Sequence, residues 1–176
     1  EGVREAVLRA KRVTLDRGLG ELHLAAIDPS PEWAPQLRTL GFDSVTHYVH
    51  LPQWKGPPLQ DYRTSAKARA AEWPDFAERT ELPYLPSVAT GWDATPRAAD
   101  FGPKRPDKYP WSPVVTGDSP KLFEEALLRA RRFAAEASID DPLTFIASLN
   151  EWTEGHYLEP DERFGTGMLE ALSSSV

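Results

Sequence analysis

The sequence predicts an α/β fold with parallel strands and, within that class, roughly the C-terminal half of a (β/α)8 TIM barrel. Helical and strand-like patterns alternate along the 176 residues, which is typical of strands joined by helical crossovers. About four strand–helix units fit, whereas a complete barrel takes roughly 250 residues. No glycine-rich phosphate loop follows a predicted strand, so the alternative of an open doubly wound sheet lacks the nucleotide-binding fingerprint. The length suits one domain, which we assign to residues 1–176.

In the first half of the chain, the spacing of apolar residues predicts a helix, a strand, a second helix and a second strand, in that order. Apolar residues recur at helical spacing over residues 4–15, and the following RGLG ends this helix. Residues 21–27 and 43–49 form short apolar runs, which we interpret as buried strands. Residues 31–42 are predicted to be helical, because a proline suits the first turn and a glycine suits the end.

The second half continues the alternation. Pro74 is expected to break or kink a helical stretch. Ser119 suits the N-cap of the clearest helix, because Pro120 follows it and arginines lie near the helix end. The predicted elements are a helix over residues 61–80, a strand over 82–90, a proline-rich loop over about 91–117, a helix over 119–137, a strand over 143–149 and a last helix from residue 165.

Composition excludes some classes of function and leaves others open. The formal net charge of −7 disfavours a nucleic-acid partner, since neutralising phosphates takes a concentrated basic surface. The absence of cysteine excludes disulfides and thiolate metal sites. We expect no membrane span and see no signal peptide. Because the chain begins at Glu1 rather than Met, we expect that its natural N-terminus is missing. A cytoplasmic or envelope location and the oligomeric state stay open.

Polar and aromatic residues collect at the C-terminal ends of the predicted strands. In both parallel architectures these ends share one rim, where ligands bind. Chance placement would scatter such residues, so their convergence indicates a site. The candidate residues at this rim are Asp28, His47, Tyr48, Trp92, Asp93, Asn150, Glu151, Trp152 and Glu154.

Two glutamates, Glu151 and Glu154, follow the last predicted strand. In an extended strand they would point to opposite faces, because side chains alternate with a period of two. A turn after Glu151, which Gly155 would permit, brings both carboxylates to one pocket. Paired carboxylates suit glycoside hydrolysis, in which one donates a proton and the other acts as base or nucleophile. The alternative interpretation is a solvated acidic turn.

The residues after this pair allow a second interpretation. A metal site at His156, Glu159 and Asp161 is disfavoured, because their spacing matches no recognised ligand pattern. We therefore interpret His156 and Glu159 as candidate substrate contacts. Asn150 is a candidate for orienting Glu151 or a substrate hydroxyl.

The segment GWDATPR, residues 91–97, is a second dense group. Arg97 could pair with Asp93 as structure, or Trp92 and Asp93 could hold a sugar by ring stacking and hydrogen bonds. Aromatic residues in proline-rich segments such as GPKRPDKYPWSP are common around sugar sites, and they also cap cores and restrain loops. These alternatives stay open at this point.

The motifs NEWTEGHYLEPDERFGTGMLEAL, GWDATPR and GFDSVTHY resemble the WbsX-type glycosyltransferase-like family, which is related to the family 99 glycoside hydrolases of the endo-α-mannosidase type. The resemblance runs in order over roughly residues 41–172, and its Glu-Trp-x-Glu-Gly element is fairly specific. It implies a (β/α)8 barrel, with the matched motifs in the C-terminal part.

The resemblance also implies roles for individual residues. Glu151 takes the position of the base that acts on the substrate 2-hydroxyl, and Glu154 takes the position of the acid/base. The implied reaction retains configuration through a 1,2-anhydro sugar and needs no metal or cofactor, and Trp152 would shape the pocket. The chain has Thr153 where the hydrolases usually have His, and Ala94 where the WbsX-like pattern usually has Asn.

From these observations we expect a carbohydrate-active enzyme whose partner is a glycan. The expected reaction is a retaining glycoside hydrolysis or transglycosylation of an α-linked, mannan-like or surface polysaccharide. A glycosyltransferase of lipopolysaccharide or polysaccharide biosynthesis and a non-catalytic glycan-binding barrel are the alternatives. A half barrel would expose two strand edges, so we also expect this chain alone to be poorly active or to associate.

Overall fold

The computed structural model describes residues 2–137 and 142–175 and confirms the predicted α/β class. A 3-10 turn at Ala34–Gln36 precedes the second helix. The α-helices are α1 Val3–Asp16, α2 Leu37–Leu40, α3 Tyr62–Ala70, α4 Trp73–Thr80, α5 Pro120–Ala135 and α6 Gly167–Ser174. The strands are β1 Ala25–Ile27, β2 Ser44–Thr46, β3 Leu59–Asp61, β4 Ser87–Ala89, β5 Val114–Thr116, β6 Phe145–Ala147, β7 Asn150–Glu151 and β8 His156–Tyr157.

Four strand segments lie side by side in chain order. β1 pairs in parallel with β2, and β4 pairs in parallel with β6. The two pairs are joined by a parallel bridge between Val45 and Tyr84, in which the Leu85 amide donates to the Val45 carbonyl at 2.8 Å. Parallel strands in chain order are what helical crossovers in one direction produce. Within residues 2–137 and 142–175 the strands do not close into a barrel.

One strand pair falls in segments where no strand was predicted. β3 pairs in parallel with β5, and the Val114 amide donates to the Pro58 carbonyl at 2.8 Å. The expectation of a loop over residues 91–117 is therefore wrong in part, because the segment contains β5. It also contains a 3-10 turn at Thr95–Ala98. Each strand is three residues long and next to proline, which leaves too short an apolar pattern to detect.

Helix boundaries follow local signals in the sequence. The predicted helix over residues 61–80 divides into α3 and α4, with Pro74 in the first turn of α4, where a missing amide hydrogen costs nothing. The Ser119 hydroxyl caps α5 by accepting from the Leu122 amide at 3.3 Å. Helix α2 ends at Gly41, whose φ of 94° is left-handed.

The hydrophobic core packs one face of the strand row against α4, α5 and α6. Phe123 and Ala130 of α5 are fully buried in it, next to Tyr84 from the sheet. A second buried cluster includes Tyr62 and Trp92 and lies below the strand ends. Because the Tyr62 hydroxyl donates to the Ala89 carbonyl at 2.7 Å, α3 is fixed to the end of β4.

The two ends of the strand row expose apolar surface. Ile27 of β1 and Phe145 of β6 are both exposed. Helix α1 has no buried residue, and it is held to the chain before β2 by a 2.6 Å ion pair between Lys11 and Asp43. No helix in the described part of the chain is both long and apolar enough to span a membrane.

A cluster of buried rings lies after β2. The His47 ring packs 4.4 Å from both the His50 and Phe76 rings, and its Nδ1 lies 2.9 Å from the Tyr84 hydroxyl. Burial lowers the pKa of His47. Burial, with the neighbouring charges of His47 and Arg69, lowers the pKa of His50 to about 3. Both imidazoles are therefore neutral near neutral pH.

We expect acid to destabilise the fold through His50. An unfolded histidine takes up a proton near pH 6.5, whereas folded His50 does so only at about 3. Between these values the unfolded state binds more protons, so the free energy of unfolding falls as pH is lowered, by up to ~1.4 kcal/mol per pH unit. His50→Gln should reduce this slope, measured by urea unfolding at a series of pH values.

A control for this experiment is Gln36→Ala, because Gln36 is exposed and its side chain does not titrate. It should keep the wild-type dependence of unfolding free energy on pH. If His50→Gln also keeps that dependence, the assignment of the acid sensitivity to His50 is wrong.

Candidate active site

A short hairpin follows β6 and carries both glutamates. Asn150 lies opposite Tyr157 and Glu151 lies opposite His156 in the antiparallel pair of β7 and β8. The Ser148 hydroxyl holds the hairpin together, since it accepts from the Glu151 amide at 3.0 Å and donates to the His156 carbonyl at 2.9 Å. The chain turns directly after Glu151 through a 3-10 turn at Trp152–Glu154.

The hairpin docks against the end of β4 by direct backbone contact. The Asp93 amide donates to the Glu154 carbonyl at 2.8 Å. Gly155 has a left-handed φ of 66°, and a Cβ there would lie 2.7 Å from the Asp93 nitrogen. A Cβ on Gly91 would lie 2.6 Å from the Gly155 carbonyl oxygen. No side chain fits at either glycine without moving the backbone.

Arg97 joins the two carboxylates. Its Nη1 lies 3.0 Å from Oε1 of Glu154, and its Nη2 lies 3.2 Å from Oε1 of Glu151. Both glutamates therefore face the same side of the hairpin. The pairing connects the 3-10 turn after β4 with the turn between β7 and β8, which are distant in sequence.

Glu151 is the more accessible of the two acids. It accepts a 2.5 Å hydrogen bond from the Thr153 hydroxyl, which in turn accepts from Nε of Arg97 at 3.0 Å. The Thr153 hydrogen bond, followed by the hydrogen bond and charge of Arg97, lowers the pKa of Glu151. Glu151 is thus ionised at neutral pH, as a base must be.

Glu154 is buried, with 6% of its surface exposed. Its Oε1 accepts from the Tyr109 hydroxyl at 3.1 Å in addition to pairing with Arg97. Its Oε2 lies 3.1 Å from Nε2 of His156. A buried carboxylate needs such partners, because an unpaired buried charge costs several kcal/mol, on the order of a whole domain's stability.

Aromatic rings pack around His156, next to the two acids. The His156 ring stacks on Trp92 at 5.6 Å and meets the edge of Tyr48 at 5.8 Å. Burial and the negative charges of Glu154 and Glu151 raise the pKa of Tyr48, so its hydroxyl stays protonated. The exposed Tyr48 ring therefore offers both a ring face and a hydrogen-bond donor near the acids.

Trp152 presents a second exposed ring, with 43% of its surface accessible. It stacks on Tyr157 at 3.7 Å, and its indole nitrogen donates to Oε2 of Glu159 at 2.5 Å. Glu159 thus holds Trp152, and the ring can serve as a platform for a sugar face.

Half of the predicted site residues meet in this structure. The residues that the contacts bring together are Tyr48, Trp92, Arg97, Glu151, Glu154 and His156. Trp152 and Glu159 contact each other in a separate group on the same hairpin. The suggestion that Arg97 pairs with Asp93 gives way to its pairing with both glutamates. The Asp93 carboxylate instead accepts from the Thr95 amide at 2.9 Å and caps the 3-10 turn.

Three other predicted residues take different positions. Asp28, with a φ of 47°, lies with its carboxylate 3.9 Å from Nε2 of His47, so both belong to the ring cluster after β2. Asn150 is exposed and enters the hairpin through its backbone pairing. Among the described residues, no three His, Cys, Asp or Glu side chains are grouped as metal ligands would be.

Two contributors were missed from the sequence. Tyr109 lies in the proline-rich segment before β5 and reaches both Arg97, at 2.9 Å, and Glu154. From the sequence, Thr153 was identified only as a departure from the family pattern, yet its hydroxyl donates a hydrogen bond to Glu151. A signal for Tyr109 was available, since it is an aromatic with a hydroxyl in a segment already linked to sugar sites.

We expect Gly155→Ala to be much more destabilising than Gly165→Ala. Both glycines have left-handed φ, but a Cβ on Gly165 meets nothing within 4 Å. The control should lose about 1 kcal/mol from backbone strain, and Gly155→Ala about 1–3 kcal/mol more from the collision with Asp93. Urea unfolding of both variants measures the difference. Equal losses would mean that the hairpin is not held at this contact.

Comparison with known proteins identifies relatives over nearly the whole chain. The family model described as Glycosyltransferase WbsX matches residues 2–172. The proteins named WxcX from two strains of Xanthomonas campestris pv. campestris, described as uncharacterized, are each 29% identical over 173 residues. The match covers 92% of this chain and 23% of each relative, so the chain spans about a quarter of their length.

Solved structures with a similar fold include the GH99 endo-alpha-mannosidase from Bacteroides thetaiotaomicron. The similarity has a TM-score of 0.52 at 16% identity and covers 87% of this chain and 42% of that one. The same enzyme in complex with bis-tris-propane gives a TM-score of 0.51 and covers 45% of that chain, also at 16% identity. At this identity the similarity concerns the fold.

Proposed function

Since the chain belongs to the glycosyltransferase WbsX family, we propose that it forms the catalytic part of a carbohydrate-active enzyme that uses Glu151 and Glu154. The observation that carries this proposal is the contact of one guanidinium, that of Arg97, with both carboxylates at the end of a strand row. This contact supports two acids acting on one substrate from one side. The exposed ring of Tyr48 near the acids, and the exposed ring of Trp152 on the hairpin that carries them, support a glycan as that substrate.

The proposed reaction is a retaining cleavage or transfer of an α-linked glycan. Glu151 takes the proton of the 2-hydroxyl while O2 bonds to C1 and the bond from C1 to the leaving oxygen breaks. Glu154, which takes up a proton from solvent at Oε1 once the substrate has displaced Arg97 and Tyr109, gives that proton to the leaving oxygen. Water or an acceptor hydroxyl then adds to C1 and gives its proton to Glu154, while O2 leaves C1 and regains its proton from Glu151. Two displacements at C1 retain configuration.

The surroundings of the two glutamates support separate roles. The ionised state of Glu151 suits the base. Glu154 is more deeply buried, and its Oε1 is occupied by Arg97 and Tyr109. Because both of these side chains are partly exposed, a substrate can displace them and take their place at Oε1. The route uses no metal or cofactor.

The proposed substrate is a mannan-like or surface polysaccharide. The name of the structural neighbour, an endo-alpha-mannosidase, supports α-mannosides as the first class to test. Thr153 replaces the usual His between the two catalytic positions, so we expect the preferred sugar or linkage to differ from that of the hydrolases.

Glu154→Gln and Glu151→Gln should each lower turnover by at least about 100-fold, since general acid–base catalysis contributes 10²–10⁴-fold. The measurement uses purified protein that carries the complete proposed barrel, with α-mannan and α-linked mannooligosaccharides in oxygen-18 water. Mass spectrometry then separates hydrolysis, which incorporates the label, from transfer, which does not. Binding of the same glycans by calorimetry should persist in both variants.

The control for this experiment is Glu162→Gln, an exposed glutamate after the hairpin. It should turn over glycan like the wild type. Turnover that persists in Glu154→Gln would rule out the proposed roles. Glycan binding by the wild type without any turnover would favour the non-catalytic glycan-binding barrel.

We further propose that residues 1–176 form a single domain that is the C-terminal part of a (β/α)8 barrel. The parallel strands in chain order support this, as does the similarity to less than half of a longer enzyme. The exposed apolar residues Ile27 and Phe145 lie at the two ends of the row, where a barrel would continue.

The separate 176-residue chain should therefore associate or turn over glycan poorly. Ile27→Lys should reduce the association, because a charge on an edge strand opposes pairing. Leu128→Lys, on the exposed face of α5, is the matched control and should leave it unchanged. Analytical ultracentrifugation measures the mass, and an active monomer would contradict the proposal.

A second candidate function is transfer from an activated sugar donor in polysaccharide assembly. The description of the family as glycosyltransferase favours it. Saturable binding of nucleotide sugars, tested by calorimetry with GDP-mannose and UDP-glucose, would support this candidate. The lack of such binding, together with label incorporation from water, would favour the hydrolase.

A further inference from the structure

His156 is a fully buried histidine with one polar side-chain contact among the described residues. Its Nε2 lies 3.1 Å from Oε2 of Glu154, and its Nδ1 is buried without a hydrogen-bond partner in the described part of the chain. The ring is held by stacking on Trp92 and by the edge of Tyr48. Burial lowers the pKa of His156, although the hydrogen bond and charge of Glu154 oppose this, so the imidazole is neutral.

These contacts select one tautomer. With the proton on Nε2, the ring donates to the Glu154 carboxylate and only a bare acceptor remains at Nδ1. With the proton on Nδ1, an N–H would be buried without an acceptor, and the Nε2 lone pair would face the carboxylate oxygen. The second arrangement loses a hydrogen bond and leaves a buried donor unsatisfied, so the first is favoured.

The two oxygens of Glu154 consequently differ. Oε2 is bound by His156, which is fully buried and cannot leave. Oε1 is bound by Tyr109, of which 44% is exposed, and by the half-exposed Arg97, and both can be displaced from the solvent side. Only Oε1 can therefore be offered to a substrate.

We propose that His156 is a positioning residue that fixes Oε2 of Glu154 through Nε2–H, so that Oε1 is the oxygen that exchanges a proton with the glycan. This inference rests on the proposed function of Glu154. The charged and titratable groups that face this carboxylate are Arg97, Tyr109, Glu151, Tyr48 and His156. Of these, His156 alone contacts Oε2 among the described residues.

The first test reads the tautomer and needs no substrate. The chain has four histidines, so nitrogen-15 NMR of the imidazoles can be assigned with single His→Gln variants. We expect a protonated Nε2 and an unprotonated Nδ1 for His156 at neutral pH. A protonated Nδ1 would overturn the inference and would leave the role of Glu154 standing.

The second test compares two replacements of His156. Leucine removes the donor, so His156→Leu should lower kcat on the α-mannan probe by about 10–100-fold with little change in KM. Loss of a donor to the carboxylate favours its protonated form, so the alkaline limb of the pH–rate profile should move to higher pH. Glutamine can place an amide N–H near the position of Nε2, so His156→Gln should restore most of kcat and the wild-type profile.

The outcomes separate the inference from the function on which it rests. If His156→Leu and His156→Gln lose kcat equally and keep the wild-type pH profile, His156 only fills space and the inference is wrong. If Glu154→Gln keeps full turnover, the proposed function fails, and with it the role of Oε1. The NMR test still reports the tautomer if His156→Leu does not fold.

Discussion

The backbone hydrogen bond from Asp93 to Glu154, 2.8 Å long, is the contact on which the candidate site depends. It sets the distance between the end of β4 and the hairpin of β7 and β8. The approach is possible because Gly91 and Gly155 carry no Cβ. With the two segments at this distance, Arg97, which follows Asp93 in a 3-10 turn, reaches both glutamates. The close backbone contact that the two glycines permit therefore determines how Arg97 pairs with the two glutamates.

Charge neutralisation is the second constraint. A carboxylate as buried as that of Glu154 has to be paired, and its partners Arg97, Tyr109 and His156 come from three separate segments. A substrate that binds Oε1 has to replace the contacts of Arg97 and Tyr109 there. A glycan hydroxyl can do this as a hydrogen-bond donor, whereas an apolar molecule would leave Oε1 of Glu154 without a partner.

The parts of the structure that local signals specify could be predicted from the sequence, and the parts that long-range contacts specify could not. Pro74 and Ser119 act on the backbone next to them, so α4 and α5 were predicted with nearly correct bounds. Of the helix predicted over residues 31–42, only Leu37–Leu40 is α-helical, after a 3-10 turn. The strand pairing of β3 with β5 joins short segments far apart in sequence, so no periodicity reveals it. For the same reason the site residues were identified at strand ends, but Tyr109 was missed as a partner of Glu154.

The stack of Trp152 on Tyr157 has a consequence for affinity. A tryptophan that is free to rotate gives up rotamer entropy when a sugar packs against it, at a cost of about 0.5–1.5 kcal/mol. Trp152 has already given up this freedom, because Tyr157 covers one face and Glu159 holds the indole N–H. The folding of the hairpin thus meets the ordering cost in advance. A sugar ring that stacked on the free face of Trp152 would keep a larger share of the stacking energy as affinity.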